Sequence, residues 1–550
     1  MGIRRTLLRP LAFLAGAHAD RQVRAWLAAH ERTAEEQETL LGDLIARHAG
    51  TAFGRDHGFD RIGSYAAFAR RVPVRDYEHM RPYMDRVFAG ESTALLPPGE
   101  AVCMFSRTSG TTGSPKHIPI TRQYLADLRR GWNVFGVKAL RDHPHAWLRG
   151  ILQITSPLRE TDSPAGLPCG AVSGLLAATQ KRIVRRMYPV PRGVYGIADA
   201  ETRYYTALRC SVHRDVGVVT TPNPSTTIKL VETGQTHAER LIRDVADGTC
   251  TPPGDGDPSA CGRLRLRRRP VLAQRMAEGL RRDGRLLPEH FWNVALLLNW
   301  TGGTLGLYLP RLRELFPGVP IRDIGLLASE GRFSIPLADE TPAGVAEITG
   351  NFLEFIPADE RDAAQPTVLR AGDVRVGQEY FLVVTNRAGL WRYDIDDRVR
   401  VTDFLGGSPV FAFLSRGRST ASITGEKITE HQVVEAMAQA TADMGVRVER
   451  FELQGCFPSG AVPHYELRLE RLDGLDEADL AGRMDRALAA LNVEYASKRS
   501  SGRLAAIRPR LLPPETLLRK DQQLSRKGRS EQFKRRYLIR EVAADDGDGT

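Results

Sequence analysis

Residues 106–121, SRTSGTTGSPKHIPIT, bring together side chains suited to holding an anion. Ser106, Thr108, Ser109, Thr111, Thr112 and Ser114 supply hydroxyl donors, and Gly110 and Gly113 let the backbone approach a ligand closely. Lys116 adds a point charge. Consecutive N–H groups and hydroxyls of this kind wrap polyphosphate oxygens, each well-made bond to a charged oxygen contributing roughly 1.5–3 kcal/mol. The spacing excludes a Walker A loop, which needs G-x-x-x-x-G-K-[ST] opening a helix. Here the order is G-x-x-G-x-x-K, Pro115 removes an N–H beside the lysine, and His117 takes the place of the metal-binding hydroxyl. Residues 101–105 read as a strand and 117–121 alternate like another. The loop therefore joins two strands, as a flap over phosphates does.

The elements that must position this loop are legible in outline. Residues 20–50 read as helical, with Leu27, Leu40, Leu41, Leu44 and Ile45 near helical spacing, and 123–140 read as a helix after the loop. Residues 294–327 have βαβ character: an apolar strand over 294–300, a TGG turn at 301–303, a helix over 304–316 stopped by Pro317-Gly318, and a strand over 321–327. ASEG (328–331) then falls at a strand's carboxyl end, where open α/β sheets bind ligands. Strand-like pieces follow at 351–357 and 379–385, residues 245–270 read as a surface excursion, and 430–550 alternate helix-like and strand-like segments.

Composition narrows the function less. The 550 residues carry 77 basic and 66 acidic side chains, a net +11, but the arginines are interleaved with acids and the densest run, RLRLRRRP at 263–270, is short. A solvated basic face accounts for it, so neither nucleic acid nor membrane is expected as a partner. The six cysteines form no C-x-x-C pair, which speaks against a disulfide framework or a zinc site and for a reducing, cytoplasmic compartment. The basic start with its short apolar run at 11–17 is read as an amphipathic helix, not a signal peptide.

Four segments carry a resemblance. TSGTTGSPKHIPIT (108–121) resembles the phosphate loop of adenylate-forming enzymes, in the form found in the Gretchen Hagen three family of auxin-responsive acyl-acid amido synthetases and their bacterial relatives. LLASEG (326–331), NFLEFIP (351–357) and GLWRYDIDD (389–397) resemble that family's later motifs, in the same order. The resemblance implies an α/β fold: a large N-terminal domain, 1–415, with parallel sheets and a β-barrel-like part, hinged to a small mobile α+β domain, 416–542, before a disordered tail at 543–550. It implies that Ser109, Gly110, Thr111, Thr112 and Lys116 cradle ATP phosphates. Ser329 and Glu330 match the positions that meet the nucleotide and Mg²⁺, with Glu330 as the metal ligand. Phe352 matches an adenine-stacking tyrosine, and Asp397 the ribose-binding aspartate. Arg416 matches a nucleotide-contacting arginine at the hinge, Lys427 a small-domain lysine near the site, and Lys534 the mobile catalytic lysine. One departure stands out: Asp396 occupies the family's glycine position, which leaves open whether Asp396 or Asp397 meets the ribose.

The activity so implied is ATP-dependent adenylation of a carboxylic acid, with Glu330, Arg416 and Lys534 as catalytic groups, then acyl transfer to an amine, expected to be an amino acid. Transfer to a thiol instead, or a basic nucleic-acid-binding protein that merely keeps the fold, are the alternatives. The acid, the amine, the base that activates the amine and the oligomeric state are not legible.

Overall fold

The computed structural model describes residues 20–108, 116–155, 157–180, 182–254, 264, 266–361, 363–417, 420–421, 423–424, 426, 428–458, 462–472, 474–501, 503–527 and 535–544. The chain divides into two compact units. One comprises Met1–Gly302, Leu309–Ile395 and Val399–Phe413; the other comprises Gly303–Tyr308, Asp396–Arg398 and Leu414–Thr550.

In the larger unit helix α1 (Thr33–His48) buries Leu40, Leu41, Leu44 and Ile45 as expected, whereas Leu27, in the helical stretch before a turn at Arg32, is exposed. Strands β1 (Val102–Thr108) and β2 (Lys116–Thr121) pair antiparallel, with Thr108 opposite Lys116, so the hydroxyl-rich segment does connect two strands. Helix α2 (Arg122–Asp142) follows at once. Thr121 caps it by accepting the Tyr124 N–H, and Tyr124, Leu125, Leu128, Gly131, Val134, Phe135 and Ala139 form its buried face.

A four-stranded sheet runs in the order β3 (Gly150–Gln153), β4 (Val216–Thr220), β5 (Leu296–Leu298), β6 (Ile321–Arg322), parallel throughout. β4 is buried at every position, as an apolar strand covered on both faces must be. The βαβ expectation is met in order but not in length. Strand 294–300 shortens to Leu296–Leu298, and helix 304–316 becomes a 3₁₀ segment, Gly303–Tyr308, followed by Leu309–Leu315. Strand 321–327 ends at Arg322 because Asp323 turns its carboxylate onto the N–H and hydroxyl of Thr301 and the N–H of Gly325. Gly325 has φ +85°, and a Cβ there would lie 2.2 Å from the Ser334 carbonyl oxygen, so only glycine fits this turn.

The seven-stranded sheet holds β7 (Asn351–Pro357), β8 (Glu379–Asn386), β9 (Leu390–Leu405) and β10 (Ser408–Arg416) as consecutive neighbours, flanked by shorter strands. Its core gathers Phe53, Phe59, Phe68, Phe352, Phe355 and Trp391. The smaller unit is α+β. Its sheet has the order β13 (Arg508–Leu512), β12 (His464–Glu470), β11 (Phe451–Phe457), β14 (Leu538–Ala544), and helices α3 (Glu430–Met444) and α4 (Glu477–Leu491) share a core with it. No described helix is long and apolar enough to cross a membrane.

Candidate active site

Two hydrogen bonds anchor the strands that bracket the hydroxyl-rich loop. The buried Ser106 Oγ on β1 donates to Ser329 Oγ at 2.7 Å, which ties the strand entering the loop to the ASEG turn. Lys116 Nζ, on the strand leaving it, donates to the Tyr393 hydroxyl at 3.2 Å and lies 5.4 Å from the Tyr77 ring centroid. Each of these hydrogen bonds joins segments more than 200 residues apart in sequence.

The ASEG turn and the residue after it are gripped by three side chains. The Tyr124 hydroxyl of α2 donates to the Ser329 carbonyl at 3.2 Å. Asn386 Nδ2, at the end of β8, donates to the Glu330 carbonyl at 2.8 Å, and Asn351 Nδ2, at the start of β7, donates to the Arg332 carbonyl at 2.8 Å. The two amides also meet each other, Asn386 Nδ2 to Asn351 Oδ1 at 3.1 Å. Glu330 is fully buried. Burial, and then the negative field of Glu330, push the Tyr124 phenol well above its ordinary range, so it remains a hydrogen-bond donor. Arg387 binds Asp127 of α2 at 2.8 Å and fixes the helix against the end of β8; burial still raises the Asp127 carboxyl despite Arg387 and Arg130.

Arg332 lies just beyond this turn with only 2% of its surface exposed. Its guanidinium stands 4.6 Å from the Trp132 ring and 5.0 Å from the Phe135 ring, and Nη2 donates to the Ile324 carbonyl at 2.8 Å. Nε and Nη1 find no acceptor among the described residues. Burial pushes this guanidinium down to about 9, opposed by Glu347 and Asp323, and it stays charged at neutral pH. Burial likewise pushes the Asp323 carboxyl up to about 6, against the donors of Thr301, Gly325 and Gly302.

In the smaller unit Asp397 is 3% exposed and pairs with the exposed Arg416, Oδ1 to Nε at 3.6 Å, so those two expected site residues do meet. Asp396 adopts φ +62°, the backbone conformation for which a glycine would ordinarily be used. Its carbonyl accepts the Gly417 N–H at 2.6 Å.

Phe352, the expected adenine-stacking residue, lies in the core. Its ring is 1% exposed and packs against Tyr65 and Phe68, at centroid distances of 5.9 and 6.3 Å, inside the core of the larger unit. Strand β7 is buried along nearly its whole length, and Asn351, on the opposite face, is the residue turned to the ASEG segment. Ser109, Gly110, Thr111, Thr112, Lys427 and Lys534 lie outside the described residues. Ser106, Tyr124, Asn351, Asn386 and Tyr393 went unread as site residues. Each sits in or beside a quoted segment, but only the fold shows which way it points.

Comparison with known proteins gives the same reading over most of the chain. The GH3 family N-terminal domain matches residues 23–321, its central domain 345–416 and its C-terminal domain 431–543. An indole-3-acetic acid-amido synthetase GH3.8 of Oryza sativa subsp. indica is 27% identical over 87% of this chain and 84% of its own. A jasmonoyl–L-amino acid synthetase JAR4 of Nicotiana attenuata is 25% identical over 76% and 75%, and a 4-substituted benzoates-glutamate ligase GH3.12 of Arabidopsis thaliana is 25% identical over 74% and 72%. In fold, the solved structure of AtGH3.15 acyl acid amido synthetase in complex with 2,4-DB superposes with a TM-score of 0.81 at 20% identity, covering 95% of this chain and 94% of that one. With all three domains matched in order, the chain belongs to the GH3 family.

Proposed function

We propose that the protein is an acyl-acid amido synthetase: it activates a carboxylic acid with ATP and passes the acyl group to an amino acid, releasing pyrophosphate and AMP. A carboxylate is a poor acyl donor because its charge repels nucleophiles; joining it to AMP removes that charge and supplies a leaving group. The protein's part is to align the reacting groups and to offset charge on the phosphate oxygens. The observation that carries the reading is the Ser106–Ser329 hydrogen bond, which joins the strand feeding the hydroxyl-rich loop to the turn bearing Glu330.

Mg²⁺ suits the donor set of this turn, since Glu330 and Ser329 offer hard oxygen ligands of the kind that hold a cation shared with phosphates. Bound there, it would neutralise phosphate charge. Glu330 and Ser329 are the residues that would hold it, and Tyr124, Asn351 and Asn386 fix the backbone that presents them. Lys116 faces the loop's exit, Asp397 accepts the ribose hydroxyls, Arg416 contacts the nucleotide, and Lys534 brings a cation to the bond being made. By the family resemblance, Ser109, Gly110, Thr111 and Thr112 are assigned to the phosphates and Lys427 is assigned as a small-domain lysine of the nucleotide site. The roles of Ser329, Glu330, Asp397, Arg416, Lys427, Lys534 and the loop residues rest on the family resemblance. The domains it uses are the large 1–415 segment and the small hinged 416–542 segment.

The test is a panel of carboxylic acids, including indolic, jasmonate-like and substituted benzoic acids, supplied with ATP, Mg²⁺ and the common amino acids. Pyrophosphate release that requires one acid class, and an amide product seen by mass spectrometry, is the expected result. A thioester with coenzyme A in place of an amide, or no acid-dependent pyrophosphate release across the panel, overturns it.

A further inference from the structure

The small unit's sheet holds a second cluster of groups with a chemistry of their own. Alternation along β11 sends Phe451 and Leu453 into the core and leaves Glu452, Gln454 and Cys456 on the other face. Along β12 it sends Tyr465, Leu467 and Leu469 inward and leaves His464, Glu466 and Arg468 opposite. The antiparallel register sets Cys456 directly across from His464 and Gln454 across from Glu466. One ligand atom from each of Cys456, His464 and Glu466 lies within 4.8 Å of the other two. Cys456 and His464 are each 5% exposed, and the Glu466 side chain 13%.

We propose that Cys456, His464 and Glu466 form a binding site for a zinc-type divalent ion, built from residues other than those proposed to hold Mg²⁺. A thiolate, an imidazole and a carboxylate are the ligand types Zn²⁺ takes, with bonds of about 2.0–2.3 Å that place tetrahedral donor atoms about 3.3–3.8 Å apart. The closing movement from the observed spacing is within reach of side-chain rotation. His464 and Glu466 are two residues apart on one strand and Cys456 comes from its neighbour, so the rigid sheet fixes the triangle. Three protein ligands leave one coordination position for water or another donor. The cysteine gives up its proton to solvent on binding.

The surroundings decide which ion. Arg510 Nη1 lies 3.3 Å from Glu466 Oε1, and Arg468 donates to Gln454 on the same face. Two guanidinium groups oppose any cation held by charge alone. The binding must therefore come from the sulfur and the imidazole nitrogen, which select Zn²⁺ and its transition-metal neighbours over Mg²⁺ or Ca²⁺. No C-x-x-C spacing announces such a site, since its ligands converge across a strand pair.

The experiment uses the untagged full-length protein, stripped with chelator and titrated with CoCl₂. One equivalent of Co²⁺ should bind with an intense near-ultraviolet thiolate-to-metal band, displaced by Zn²⁺ and untouched by millimolar Mg²⁺. Cys456→Ser should abolish the band, and His464→Gln should weaken Co²⁺ binding by ~10-fold or more. Zn²⁺ should raise the melting temperature of the wild-type chain and not that of Cys456→Ser. Should Cys456→Ser fail to fold, the wild-type band and the His464→Gln titration still decide the matter. Absence of the thiolate band in the wild type, or unchanged affinity in His464→Gln, overturns the site.

Discussion

Replacing Arg392 with Met would test whether the GLWRYD segment is a structural strut. Arg392 is 4% exposed and Glu354 is fully buried. Nε of Arg392 lies 3.0 Å from each oxygen of Glu354, Nη2 lies 2.8 Å from Oε1, and Nη1 donates to the carbonyls of Ala69 at 3.1 Å and Val72 at 3.0 Å. The Tyr65 hydroxyl completes the carboxylate's shell at 2.8 Å. Arg392→Met removes the guanidinium and leaves the buried Glu354 with the Tyr65 hydroxyl as its hydrogen-bond donor among the described residues. Breaking a buried ion pair in this way costs roughly 3–5 kcal/mol, because the remaining charge is uncompensated. Replacing both partners, as Arg392→Met with Glu354→Leu, removes the charge altogether and should recover most of that loss, to within about 1–2 kcal/mol of the wild type.

The assay is available in the chain itself. All six tryptophans, Trp26, Trp132, Trp147, Trp292, Trp300 and Trp391, belong to the larger unit, and Trp391 adjoins Arg392 in its core. Urea melting followed by tryptophan fluorescence therefore reports this unit alone and avoids treating two units as one transition. If Arg392→Met lies within about 1 kcal/mol of the wild type, or if the double variant is no more stable than Arg392→Met, the pair is not the strut described.

Three further outcomes follow. Asn386→Ala removes the donor on the Glu330 carbonyl, so half-maximal pyrophosphate release should need ~10-fold more Mg²⁺, with the apparent affinity for the acid little changed; an unaltered Mg²⁺ titration would contradict the positioning role. Lys534→Ala should slow acid-dependent pyrophosphate release by ~100-fold or more while ATP binding, measured by calorimetry, weakens much less; equal losses would remove Lys534 from its assigned role. Burial holds the His48 imidazole down at about 4, so the folded state keeps it neutral while the unfolded chain protonates near 6.5. Its contribution is present above pH 6.5 and is lost as pH falls towards 4, by up to roughly 3 kcal/mol; relative to the wild type, His48→Phe should gain stability across that window, and a pH-independent difference would refute the assignment.

What the residues alone revealed, and what they hid, follows from how far each interaction reaches. The two strands around the hydroxyl-rich loop were legible because alternation and Pro115 act locally. Of the parallel strands, those within 294–300 and 321–327 were legible as apolar runs, though the structure shortens them to Leu296–Leu298 and Ile321–Arg322, and Val216–Thr220 went unread. The direction of a residue on a strand buried on both faces was not legible. Alternation says that Phe352 and Asn351 point opposite ways, but not which of them meets the ASEG turn. Glu354 and Arg392 fall inside two quoted segments, yet their partnership spans 38 positions and needs the fold to bring it about. The same holds for Asn386 with Glu330, 56 positions apart, and for Tyr124 with Ser329, 205 apart.

The backbone at Asp396, where the resemblance leads one to expect a glycine, also has a physical account. Strand β9 contains two non-glycine residues in the left-handed region, Arg392 at φ +42° and Asp396 at φ +62°. Aspartate visits that region at modest cost because its short polar side chain bonds locally, whereas arginine has no such advantage. What holds Arg392 there is external: its N–H donates to Thr385 Oγ1 at 2.8 Å, and its side chain is locked by Glu354 and two carbonyls. Asp396 needs less, and the Gly417 N–H on its carbonyl supplies one such tie. The backbone shape that glycine permits is here imposed by tertiary contacts. Asp397, which follows immediately and pairs with Arg416, therefore lacks the conformational freedom that a glycine would leave in the strand.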